Sequence, residues 1–146
     1  MTGGAEIPGA REELRRRGER LFAEFAALLE ALAPGRAPVA ELPEHPDLTA
    51  LGDPRTFAYY RQVALDPPPN GPGLLERAES LLAGWRLARD RSDSGAVVLY
   101  AQRDASKLRL HFHPVRGLTL CRADTESMAL HEPALETAQL PQYSEK

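Results

Sequence analysis

Apolar residues follow two different rhythms along this chain, and the change between them divides it. Leu14, Leu21, Phe22, Phe25, Leu28, Leu29 and Leu32 recur at helical spacings, with Arg15, Arg16, Glu19, Glu24 and Glu30 between them. That pattern predicts one long amphipathic helix. It should begin just after Pro8-Gly9 and stop at Ala33, because Pro34 disfavours the helical conformation at the residue before it. Residues 34–52 are rich in proline and acidic side chains and read as a connector, with at most a helical turn over 45–51. Asp53-Pro54 then offers a capping oxygen followed by proline at a first helical position, which predicts a second helix over 54–65 with Phe57, Tyr60 and Ala64 along one side. The run 66–73, Asp-Pro-Pro-Pro-Asn-Gly-Pro-Gly, cannot continue a helix and reads as an exposed extended turn. A third helix is expected over 74–83, with Leu74, Leu75, Ala78, Leu81 and Leu82 inward and Gly84 ending it.

After Gly84 the period shortens to two. Segments 85–89, 96–102, 107–113 and 118–122 alternate and are strand candidates. The gaps between them are too short for crossover helices, so they should form an antiparallel meander with one covered and one wet face. In the third segment Leu108, Leu110 and Phe112 take the apolar side, and Arg109, His111 and His113 the other. Strict alternation would have Leu118 and Leu120 continue the apolar side. Matching Leu110 with Leu120 would set Cys121 opposite Arg109 and Thr119 opposite His111, and would leave Arg122 in the apolar phase, emerging only at the strand end. The expected fold is therefore α+β, with three N-terminal helices packed on one face of a four-stranded antiparallel β-meander. Residues 1–9 are read as a flexible N-terminus, 10–123 as a single domain, and 124–146 as an acidic, partly ordered C-terminal segment with a short helix near 125–130 or 134–139.

Composition adds bounds. With 146 residues, 42% of them hydrophobic, the chain can bury one modest core. Its single cysteine, Cys121, can form no intramolecular disulfide, and the amino terminus shows no cationic segment leading into an apolar run, so a cytoplasmic location is expected. The most hydrophobic stretch, 21–33, carries Glu24 and Glu30 and falls short of the roughly 18 residues a membrane-spanning helix needs. Arginine far outnumbers lysine, a bias expected of a GC-rich bacterial genome.

Charge changes the picture more. Residues 85–123 carry 8 basic and 3 acidic side chains, net +5, so the remainder carries 10 and 18, net −8. A basic wet sheet face suggests docking on an anionic partner, with Lys107, Arg109, His111, His113 and Arg122 as the partner-binding candidates. The function expected is that of a non-enzymatic protein-binding module, of immunity-protein, adaptor or secretion-chaperone type, that meets an acidic protein. An alternative is a small-ligand or metal-binding domain, or an enzyme, centred on His111, His113 and Cys121, since two imidazoles on one side of a strand can converge on an ion and a thiol beside them can serve as ligand or nucleophile. Against it, Arg109 lies beside the pair and a further ligand is missing, so no metal and no cofactor is expected. Nucleic-acid binding by the basic sheet is a third reading, opposed by the net charge of −3 and by the lack of aromatic residues alternating with arginine along the strands. No phosphate-binding glycine loop, paired-cysteine zinc spacing or serine elbow occurs.

Overall fold

The computed structural model describes residues 4–133. The long amphipathic pattern forms helix α1, Ala10–Leu32, which buries Leu14, Leu21, Phe22, Phe25, Leu28, Leu29 and Leu32. Each large apolar side chain removed from water stabilises the fold by about 1.5–3 kcal/mol, so this helix anchors the core. Gly18 lies on its buried side. A Cβ there would come within 2.6 Å of Leu42 and 3.0 Å of the Tyr59 ring, so the missing side chain is what lets both pack against the helix.

The expectation of three helices on a four-stranded meander is corrected: among the described residues there are two helices and two antiparallel sheets. The first sheet joins β1 (Asp47–Ala50), β2 (Thr56–Ala58) and β8 (Met128–Ala129) in the order β1-β2-β8. The second joins β3 (Tyr60–Ala64), β7 (Gly117–Asp124), β6 (Ser106–His113), β5 (Val97–Arg103) and β4 (Arg86–Arg91) in the order β3-β7-β6-β5-β4. The expected four-strand meander survives as β4 to β7, and β3 extends it. Helix α2, Leu74–Leu81, precedes β4 and buries Ala78, while Leu81, expected inward, is 46% exposed.

The segment expected as a helix over 54–65 is β2 and β3, and the turn expected over 45–51 holds β1. The reason lies in Arg61. Tyr59, Arg61, Val63 and Leu65 alternate toward the interior, but the arginine at one inward position masks the period of two. Its guanidinium reaches the interior because it lies 5.2 Å from the Phe22 ring centroid and donates to the Glu41 carbonyl at 2.7 Å. Thr56, Phe57, Tyr59, Tyr60 and Val63 are also strand formers.

The two sheets share a bent ribbon. β2 runs into β3 through Tyr59, and β7 runs toward β8 through Thr125. At the bend the Thr125 amide donates to the Tyr59 carbonyl at 2.9 Å, and the Tyr59 amide donates to the Thr125 hydroxyl at 2.9 Å. The buried threonine side chain thus supplies the acceptor that the interrupted ladder lacks. The part of the expected C-terminal helix over 125–130 is therefore irregular chain leading into β8; the part over 134–139 lies outside the described residues. The N-terminal segment pairs with the chain after β8, with Ile7 donating to Leu130 at 2.9 Å and Glu132 to Ala5 at 2.8 Å.

The proline-rich run is fastened rather than free. Pro69 is buried and accepts the Leu118 amide at 2.9 Å, and Asn70 donates to the Val115 carbonyl at 2.6 Å. Gly117, at φ 95°, permits this approach, since a Cβ there would lie 2.2 Å from the Pro69 oxygen.

Candidate functional site

Both helices cover one face of the five-stranded sheet, where Leu99, Leu108, Leu110, Leu118, Cys121 and Ala123 are buried. The other face is open. Cross-strand partners share a face, so the register orders its side chains in three rows. One runs Tyr60, Asp124, Lys107, Gln102, Arg86; the next Gln62, Arg122, Arg109, Tyr100, Ala88; the third Ala64, Leu120, His111, Val98, Asp90.

The register of the last hairpin corrects the expectation. Leu110 faces Cys121, not Leu120, and Arg109 faces Arg122. The cause is a β-bulge: Thr119 is an extra residue in β7, inserted where His111 pairs with Leu120 and Phe112 with Leu118. Its carbonyl accepts the Leu65 amide at 3.2 Å, so the residue the ladder omits still has a backbone partner. One extra residue reverses the alternation beyond it. Leu118 therefore points inward, Leu120 passes to the open side, Cys121 and Ala123 turn into the core, and Arg122 joins the open face.

The structure brings Lys107, Arg109, His111 and Arg122 together on the open face. His113 lies at its end, exposed, with its Nδ1 accepting the amides of Val115 at 3.1 Å and Arg116 at 3.0 Å. Cys121 is not brought to the histidines. It is on the opposite face with 0% exposure, and burial pushes its thiol from 9.0 up to about 12, so it stays protonated at neutral pH. Among the described residues no group of three or more His, Cys, Asp or Glu side chains is arranged to hold a metal ion.

Electrostatics separates the basic residues of 85–123. Arg89 leaves the open face and forks onto Glu79 of α2 with two bonds of 2.7 Å. Arg103 pairs with Glu24 of α1 and stacks 4.3 Å over Trp85. Trp85 itself is partly buried against the core at the helix-to-sheet corner. Arg122 bonds Asp124 at 2.9 Å and lies 4.4 Å over the Tyr60 ring. Among the described residues Lys107 and Arg109 have no ion pair or hydrogen-bonded side-chain partner. The strands thus put four cations (Arg86, Lys107, Arg109, Arg122) and two carboxylates (Asp90, Asp124) on the open face, net +2. Arg109 acts on its neighbour: the His111 pKa lies below 6.5, first because of burial and second because of the Arg109 charge.

Sequence reasoning set Tyr60 along a helix and did not single out Tyr100. Tyr60 and Tyr100 are each 40% exposed on the open face, Tyr60 against Arg122 and Tyr100 directly across from Arg109. Alternation within a single strand does not reveal such neighbours; they meet only through pairing. The bend at Tyr59 and Thr125 brings the smaller sheet against one end of the face. Between the sheets lies an open groove of about 760 Å³, floored by Tyr100, Lys107, Arg109 and Arg122 and bordered by Thr49, Ala58 and Ser127.

Compared with known proteins, the chain matches no family, no curated protein and no solved structure. Among the described residues no helix is long and apolar enough to cross a membrane.

Proposed function

We propose that the protein is a non-enzymatic binding module, of the immunity-protein, adaptor or secretion-chaperone kind, whose open sheet face docks an acidic protein surface. The observation that carries this reading is Lys107 and Arg109, two cations one residue apart on an uncovered face that make no ion pair among the described residues, since Asp124, which faces Lys107, is held by Arg122. Tyr60, Tyr100 and Arg122 beside them are of the residue types that dominate binding energy at protein interfaces. A cytoplasmic setting suits a lone buried thiol.

The test is capture of the partner from an extract of the native host, followed by association kinetics of the purified pair. Rim charges act mainly on the encounter rate, so association should slow between about 0.01 M and about 1 M salt, as the screening length contracts from about 30 to about 3 Å. Arg109→Glu should slow it further, and Glu76→Arg on α2 should not. An on-rate that ignores salt, or a partner that touches only the helices, would end the proposal.

A further inference from the structure

We infer that the groove at the corner of the two sheets receives an extended acidic segment of the partner, whose carboxylates at alternate positions meet Lys107 and Arg109. This rests on the acidic-partner reading and gives the docked segment a shape and a spacing.

Three observations support it. The charges around the groove are already paired off except two: Arg122 holds Asp124, Glu126 is held by Arg17, and Lys107 and Arg109 remain. These two are separated by one residue on β6, and with a rise of about 3.3–3.4 Å per residue their attachment points repeat every ~6.7 Å. An extended peptide running along β6 repeats its same-side positions at that interval, so an acidic-x-acidic sequence matches both cations at once. Finally, Arg109 and Arg122 are direct cross-strand partners, and like charges so placed repel. Asp124 offsets only the Arg122 side. A carboxylate bound at Arg109 relieves the rest, while Thr49 and Ser127 in the groove wall offer hydroxyls to the peptide backbone.

The experiment measures, by fluorescence anisotropy, binding of two labelled hexapeptides of identical composition, one alternating Ser and Glu and one blocked against that spacing, Glu-Glu-Ser-Ser-Ser-Glu, in which no two Glu stand two residues apart. A labelled hexathymidylate is measured in parallel. The alternating peptide should bind about two- to fivefold more tightly than the blocked one, the worth of one further exposed ion pair. Lys107→Ala should abolish that difference, and Asp124→Asn should strengthen binding by freeing Arg122. Thr49→Tyr, which fills the groove without altering charge, should weaken it. Circular dichroism melts establish that each variant is folded. If both peptides bind equally, or Thr49→Tyr binds as well as wild type, the groove inference is overturned while the acidic-partner reading stands. If neither acidic peptide binds, both are overturned. Tighter binding of hexathymidylate than of either peptide would also overturn both, in favour of a nucleic-acid platform.

Discussion

Single side chains hold the geometry on which the site depends. Thr125 gives the Tyr59 amide its acceptor at the bend. Thr125→Val should cost about 1–3 kcal/mol by stranding a buried donor, and Thr125→Ser should be nearly neutral; urea unfolding distinguishes them. Cys121 should resist a thiol reagent in the folded protein at neutral pH and react fully once unfolded. Its titration also carries a sign. Above pH 9.0 the unfolded chain gives up a proton that the folded chain retains, so stability is complete below that pH and declines toward about pH 12. Cys121→Ala should remove this component of the alkaline loss. His111 behaves oppositely: the fold favours its neutral form, so its contribution is present above pH 6.5 and lost as the pH falls below it. Arg109→Gln should raise the His111 pKa only part-way, because burial is the larger cause; an NMR titration of the imidazole resonances checks this, and an unchanged value would show that Arg109 does not lie beside it.

At the scale of elements, what was legible in the sequence was whatever kept a single period. α1 follows from its apolar stripe, α2 from the next, although it ends at Leu81 rather than running to Gly84, and β4 to β7 from alternation broken by short turns. Two elements that were not legible had their period interrupted by one residue. Arg61 at an inward position turned β3 into an apparent helix, and Thr119 reversed the phase of β7, sending Arg122 outward and Cys121 inward. Neither exception has a local signature, since each is stabilised by partners distant in sequence: Phe22 and Glu41 for Arg61, Leu65 for Thr119. The bulge makes a prediction that simple alternation reverses. Cys121→Asp should unfold the protein by burying a carboxylate, whereas Leu120→Asp, like His111→Asp, should leave a cooperative melt. Gly18→Leu should destabilise by about 1–3 kcal/mol, because Leu42 and Tyr59 occupy the space its side chain needs.

Across the whole molecule, the split of +5 against −8 was visible as arithmetic, but its distribution was not. Strand register puts Arg89 and Arg103 on the helix-covered side, where Glu79 and Glu24 pair with them, which leaves the open face at net +2, with Arg86, Lys107 and Arg109 making no ion pair among the described residues. Tyr60, expected on a helix, and Tyr100 join them through β3 and β5. The central claim is that this face, and no other, takes an acidic partner. Its most direct test is an amide NMR titration of the folded protein with poly-L-glutamate at about 0.01 M and about 1 M salt. The account predicts shifts confined to Tyr100, Lys107, Arg109, Arg122 and their neighbours on the open face, present at low salt and lost at high salt. Shifts centred on α1 or on the proline-rich loop, or none at low salt, would contradict it.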